Sequence, residues 1–219
     1  NCTILTNREV KSATSWDIRL ATMLHKTNDA SDLLETSTHV DNAGLLRVYE
    51  GKYGWIFDHR YATHFDSDFH AVPDSIKTQD YIISTELLCS QKRFESICEN
   101  YENQGFTTAF GFLGHRRVSS STNERTVVAC IYPRLPSTYG WILSLCKDTA
   151  DMALLCGAYN SLCFDYLLRN SLSQPSIPQG VFEQTAIPEA KVINHEFVIS
   201  RVIELCFTAS ELKPWAEDL

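Results

Sequence analysis

The residues able to do chemistry in this 219-residue chain fall in four short stretches. Asp58-His59-Arg60 sets a carboxylate beside an imidazole and a guanidinium, as a catalytic triplet would. No nucleophilic Ser or Cys motif lies near it, so Asp58 is read as orienting His59 or Arg60 to donate to a phosphate or to backbone. His64, Asp66, Asp68 and His70 alternate imidazole and carboxylate in the manner of a metal cluster. Their spacing and the missing glycine turn do not match a calcium loop, so a solvated loop is the expectation. Asp41 with Glu50-Gly51-Lys52 loosely follows the Asp…Glu-x-Lys pattern of metal-dependent nucleases, which is short and common. The fourth stretch gathers cations: His115, Arg116 and Arg117, a run of serines, then Asn123, Arg125 and, further on, Arg134.

That basic loop must be carried by something rigid. Residues 126–132 are apolar and rich in β-branched side chains and end at Pro133, the pattern of a strand covered on both faces. A firm strand with a cationic mouth is how a recognition surface is mounted. The competing reading is a polar hairpin loop in which Arg125 pairs with Glu124 or another neighbour. His25 and His39 stand alone near turns and read as surface or capping residues rather than ligands.

Composition narrows the classes. The formal charge of −8 argues against a protein that coats nucleic acid non-specifically. The charge is uneven, with six Lys and Arg against four Asp and Glu over residues 88–135, but three against seven over 183–219. An acidic tail of that kind leaves room for a basic face elsewhere. The eight cysteines contain no C-x-x-C pair; Cys98, Cys130, Cys156, Cys163 and Cys206 sit among apolar residues and are expected to be reduced core residues of a cytoplasmic protein. No apolar run approaches the ~20 residues of a membrane span. The amino end shows no basic region followed by an apolar one, and without an initiating Met the chain is expected to be a piece of a longer polypeptide. No Pro-Pro pair of a base-modifying loop, no glycine-rich cofactor loop, no Gly-x-Ser-x-Gly elbow and no His-Glu-x-x-His is present.

Along the chain, Thr6-Asn7-Arg8-Glu9 fits a capping box. Residues 16–24 read as helix, 45–50 and 55–57 as strand, and 81–84 as a short strand. Apolar residues at helical spacing predict helices over 86–101, 149–168 and 195–209, with 106–112 as an aromatic strand between the first two. Residues 1–44 are accordingly read as a helical lead-in and 45–219 as the main domain. The expected fold is α+β: mainly antiparallel twisted sheets packed by several helices.

Five stretches together resemble the carboxy-terminal part of the large adenine-specific DNA methylases of type II restriction-modification and phage-defence systems. They are W-D-I-R-L-A-T-M-L-H-K-T-N-D-A-S-D (16–32), V-Y-E-G-K-Y-G-W-I-F-D-H-R-Y-A-T (48–63), T-N-E-R-T-V-V-A-C-I-Y-P (122–133), N-S-L-C-F-D-Y-L-L-R (160–169) and R-V-I-E-L-C-F-T-A-S-E-L-K-P-W-A-E-D-L (201–219). They occur in the family's order and span nearly the whole chain. Two places depart from the family pattern: Gly111-Phe112-Leu113-Gly114 lacks the Arg expected there, and 173–178 replaces a Gly-Thr-His-Leu-Asn-like run.

The resemblance implies a target-recognition domain that grips double-stranded DNA for an upstream methyltransferase domain of the same polypeptide. That catalytic domain would bind S-adenosylmethionine; this piece is expected to hold no cofactor and to do no catalysis itself. The residues expected to touch DNA are Lys52, His59, Arg60, Arg116, Arg117, Arg125 and Arg134, with Asn123, Gln174 and Gln179 as base readers. The alternatives are a nuclease built on Asp41, Glu50 and Lys52, and a structural or docking module.

Overall fold

Three strands near the middle of the chain are buried almost throughout, and the rest of the protein is layered on their two faces. In the computed structural model, residues 2–5, 16–36 and 43–219 are described. The first half of the chain supplies β1 (Cys2–Ile4), β2 (Arg19–Ala21), β3 (Leu33–Glu35), β4 (Leu45–Arg47), β5 (Ala62–Phe65), β6 (Asp68–Ala71), β7 (Leu87–Ser90) and helix α1 (Gln91–Glu102). Next come β8 (Phe112–Arg116), β9 (Ala129–Tyr132), β10 (Trp141–Leu145), α2 (Thr149–Tyr159) and α3 (Leu162–Ser171). The chain ends with α4 (Gln179–Glu183), β11 (Ala186–Pro188), α5 (His195–Cys206) and α6 (Lys213–Asp218). The strands pair antiparallel into a central sheet β2-β10-β8-β9, a second sheet β3-β7-β4, and the two-stranded pairs β1-β11 and β5-β6. The fold is α+β, as the sequence pattern predicts.

Strand periodicity divides the core in two. Leu113, Ala129, Ile131 and Ile142 point to one face, where they meet α2 residues Met152, Leu155, Cys156 and Tyr159 and α5 residues Val202 and Cys206. Phe112, Cys130, Tyr132, Trp141, Leu143 and Leu145 point to the other and join Tyr49, Tyr53, Phe94 and Cys98. Gly114 lies on this aromatic face because the Trp141 ring covers it: a Cβ there would sit 2.0 Å from the indole nitrogen. Arg116, two residues on, points the same way, toward the turns after β4.

Several expected elements shift, each for a local reason. The described residues ahead of 45 form strands rather than a helical lead-in: β2 pairs with β10 across Leu20 and Ser144, and β3 pairs with β7. The capping box at 6–9, His39 and Asp41 lie outside the described residues. Residues 86–101 divide into β7 and α1, because Ser90 accepts from the Arg93 N–H and starts the helix there. Strand 106–112 is replaced by a loop running to Gly111, whose φ of +137° brings its backbone against the Tyr132 carbonyl.

The long helix over 149–168 is broken into α2 and α3 at Asn160. The Asn160 amide turns back onto β9, accepting from the Ala129 N–H at 3.2 Å and donating to the Ala129 carbonyl at 2.9 Å, as a neighbouring strand would. Ser161 then caps α3 through the Phe164 N–H. Cys163, expected in the core, is exposed on α3, and Leu205 is exposed on α5. Cys98, Cys130, Cys156 and Cys206 are buried free thiols.

Candidate functional site

Most of the expected DNA contacts turn out to be internal fastenings, and a smaller set lines an open cleft. His59 and Arg60 are each only 1% exposed, which corrects their assignment to DNA. Arg60 donates to the carbonyls of Thr78 (2.6 Å), Tyr81 (3.0 Å) and Thr208 (2.7 Å), tying the segment after β6 to the carboxy-terminal region. Asp58 does orient this motif, accepting from the Arg60 N–H at 2.8 Å, while its other oxygen holds Lys77 at 2.7 Å. Burial pushes the His59 imidazole down to about 3, and the nearby Arg60 charge adds to that, so it is neutral.

The Thr-Asn-Glu-Arg-Thr loop is fastened from beneath. Asp165 on α3 accepts from the N–H groups of Thr126 and Val127, both at 2.8 Å, and lies 3.3 Å from the Arg125 Nε. Its second oxygen takes Arg169 at 3.0 Å, and Arg169 also reaches the carbonyls of Ser121 and Glu124. Burial pushes the Asp165 carboxyl up, but the Val127 and Thr126 amides with Arg169 and Arg125 outweigh it, leaving it below the ordinary carboxylate range. Arg125 also donates to the Asn160 carbonyl, so its role is corrected to structural; its partner is Asp165, forty residues away, not Glu124. The early part of the expected strand 126–132 is held by this carboxylate instead of by a ladder, which is why β9 starts only at Ala129.

Arg134 is similarly committed, fork to fork with Glu95 at 2.8 and 2.6 Å and to the Thr108 carbonyl. Gln179 donates to Glu183 at 2.9 Å and to the Leu20 carbonyl on the edge strand at 3.4 Å. Asn123 and Gln174 are exposed. The expected clustering of all these guanidinium groups on one side is therefore not what the structure holds.

What remains converges on a cleft of about 650 Å³. Its walls come from the 49–52 turn after β4, the β5–β6 hairpin, the end of β8 and the 138–140 turn before β10. These pieces are locked by backbone hydrogen bonds: Tyr49 N–H to Pro136 O (2.7 Å), Thr138 N–H to Tyr49 O (2.9 Å) and Arg117 N–H to Gly140 O (3.0 Å). Gly51 permits the approach, since a Cβ there would meet the Gly140 carbonyl oxygen at 2.7 Å.

Cations and aromatic rings alternate around this cleft. The Lys52 ammonium lies 4.2 Å from the Phe69 ring centroid, and the Arg117 guanidinium 5.6 Å from that of Tyr139. Neither has a carboxylate partner among the described residues. Arg116 is half-buried over Trp55 and braces the turns through Gly51 O (2.9 Å) and Gly54 O (2.7 Å). Lys26 bridges Glu50 at 2.6 Å and Glu86 at 3.2 Å. Burial pushes the Glu50 carboxyl up, and Lys26 opposes that push.

Asp41 of the nuclease pattern lies outside the described residues, and Glu50 is already engaged by Lys26. Among the described residues no three His, Cys, Asp or Glu side chains converge on a metal-sized site. His64 and His70 instead make edge contacts with Phe69 and Phe65 across the β5–β6 hairpin. Sequence reasoning singled out Glu50, Lys52, Arg116 and Arg117 but missed Lys26, Phe69 and Tyr139, which reach the cleft through turns and hairpins that carry no motif. Among known proteins, no family model matches the chain and no curated relative is similar to it.

Proposed function

We propose that this chain is the DNA target-recognition region of a site-specific adenine methyltransferase, gripping duplex DNA for a catalytic domain elsewhere in the same polypeptide. The observation that supports this best is a pair of cations without a carboxylate partner among the described residues, Lys52 lining the aromatic cleft and Arg117 lying against its Tyr139, in a chain whose net charge is −8. A cation with no internal partner is available to a phosphate, and its affinity is then set by counterion release. Lys52 also belongs to one of the stretches that resemble the methylase family. S-adenosylmethionine chemistry would reside in the catalytic domain.

The docking alternative also has an observation in its favour, and the two roles are compatible. Leu162 and Tyr166, one helical turn apart on α3, are 74% and 65% exposed, and Phe197 on α5 is 62% exposed. Apolar faces of this kind suit the packing of a neighbouring domain.

The test is binding of a fluorescein-labelled duplex across a salt series. Lys52→Ala with Arg117→Ala is expected to weaken binding and to lower the slope of log K against log salt by roughly 1.8, the value for two lost phosphate contacts. An unchanged slope rejects the phosphate role of both residues. Arg116 is left alone because its donors hold the Gly51 and Gly54 carbonyls.

A further inference from the structure

The cleft has walls that phosphate binding does not use. Tyr61, Phe69 and Tyr139 line it, and each ring is held by another: Tyr61 stacks on Trp55 at 5.1 Å, Tyr139 stacks on His25 at 5.2 Å, and Phe69 tilts against Tyr53 at 5.2 Å. Ala62 and Ala71 stand opposite each other in the β5–β6 register and both line the cleft, so two small side chains leave room there. The volume of about 650 Å³ lies in the range of small-molecule sites.

The charge of the lining is unbalanced. Glu50 is engaged by Lys26 at 2.6 Å, which leaves Lys52 and Arg116 as lining cations that no carboxylate of the described residues meets. Arg116 uses Nε and Nη2 on the Gly51 and Gly54 carbonyls, while Nη1 has no acceptor among the described residues and is not sealed from solvent. Burial pushes the Arg116 guanidinium below its ordinary range, and no carboxylate opposes that push. A half-buried cation of this kind is unfavourable until an anion offsets its desolvation.

We propose that this cleft is a binding site for a small aromatic carboxylate, its ring against Tyr61, Phe69 and Tyr139 and its two oxygens shared between Arg116 Nη1 and the Lys52 ammonium. Ring contacts and charge-assisted hydrogen bonds are the two terms such a ligand combines. One guanidinium nitrogen and one ammonium give two points of donation, which suits the two oxygens of a carboxylate; a phosphate would keep an oxygen without a donor. The site goes beyond the DNA reading, since it needs no nucleic acid, and Lys52 is the residue common to both.

Calorimetric titration of the unmodified chain with 2-naphthoate and with 2-naphthol tests this, because the two share a ring system and only the first is an anion at neutral pH. Naphthoate is expected to bind at least about tenfold more tightly, the contribution of a hydrogen bond to a charged group. Lys52→Met removes the exposed ammonium and keeps its stem, and is expected to weaken naphthoate about threefold while leaving naphthol unchanged. Ala71→Phe, at an exposed position, fills the room beside Ala62 and is expected to weaken both ligands. Equal binding of the two ligands by the unmodified chain, or no saturable binding of naphthoate, overturns the proposal whether or not the variants fold. So does naphthoate binding that neither variant weakens, which would place the ligand elsewhere on the molecule. The titration contains no DNA, so its failure removes this site alone, whereas loss of the duplex-binding reading is decided by the salt series.

Discussion

Two arginine-bearing regions of this molecule look alike in sequence and behave oppositely in the fold. Around Asp165, the Arg125 and Arg169 guanidinium groups and two backbone amides converge on one carboxylate that is 6% exposed, with Arg169 at the solvent edge. Around the cleft, Lys52 and Arg117 lie on aromatic rings, and no carboxylate of the described residues meets them. The difference lies in which partner residues the topology delivers. Helix α3 carries Asp165 beneath the Thr-Asn-Glu-Arg-Thr loop, whereas the β5–β6 hairpin carries Phe69, not an acid, beneath Lys52. Motif residues can thus mark the frame that holds a recognition surface as readily as the surface itself.

The comparison breaks most decisively at Asp165. Asp165→Ala strips two buried amides and two arginines of their acceptor, and the expected loss of folding stability is about 3–5 kcal/mol, read from urea denaturation. A loss below 1 kcal/mol would mean the junction is not the frame argued for here.

Acidification probes the same interior. Burial pushes the His59 and His115 imidazoles down to about 3, so the folded protein keeps both neutral where an unfolded chain would protonate them. Between the unfolded value of about 6.5 and that folded value, the unfolded state binds more protons, and stability falls as pH falls. From pH 6.5 to pH 5 the expected loss is roughly 2 kcal/mol for each histidine. Asp165 adds to this only at lower pH: its depressed folded pKa contributes stability that is present above the unfolded value of about 3.9 and lost as the pH falls through the folded one. His115→Leu, which keeps an apolar group against Phe182, should remove about half of the slope above pH 5. A pH profile of the urea midpoint that is flat over that interval contradicts the sealed histidines.

Asn160→Ala isolates the break between α2 and α3. It removes a side chain that both accepts from and donates to Ala129, so a loss of about 1–3 kcal/mol is expected in thermal or urea unfolding. A neutral change there would show that Ser161 alone is enough to restart the helix.

These residues also show what could be read before the fold was known. The buried strand ending at Pro133, the amphipathic face of α1 with Phe94 and Cys98, and the apolar α2 were legible, because burial periodicity is written locally. The division at Asn160 was not, since it depends on a backbone partner at Ala129 thirty-one residues away. Nor was the fate of the arginines. Arg60 looks solvent-seeking in sequence, and only the meeting of 78–81 with Thr208 gives it enough carbonyls to be buried. Of the cleft, Glu50, Lys52 and Arg116, with Arg117 beside it, were legible from residue type. Their aromatic partners Phe69 and Tyr139 were not, because nothing in a hairpin or a turn announces which ring will face a cation.

The smallest stability effect carries the sharpest contrast. Lys52→Ala and Arg117→Ala remove exposed or half-exposed charges that form no ion pair among the described residues, so each should change unfolding free energy by less than about 0.5 kcal/mol. If either costs as much as a buried arginine would, its ring contact is part of the frame, and the cleft loses its claim to be a surface held ready for something else. If both are silent in unfolding while the salt dependence of duplex binding moves, frame and surface are separable, and the separation falls between residues that the sequence presents as one basic motif.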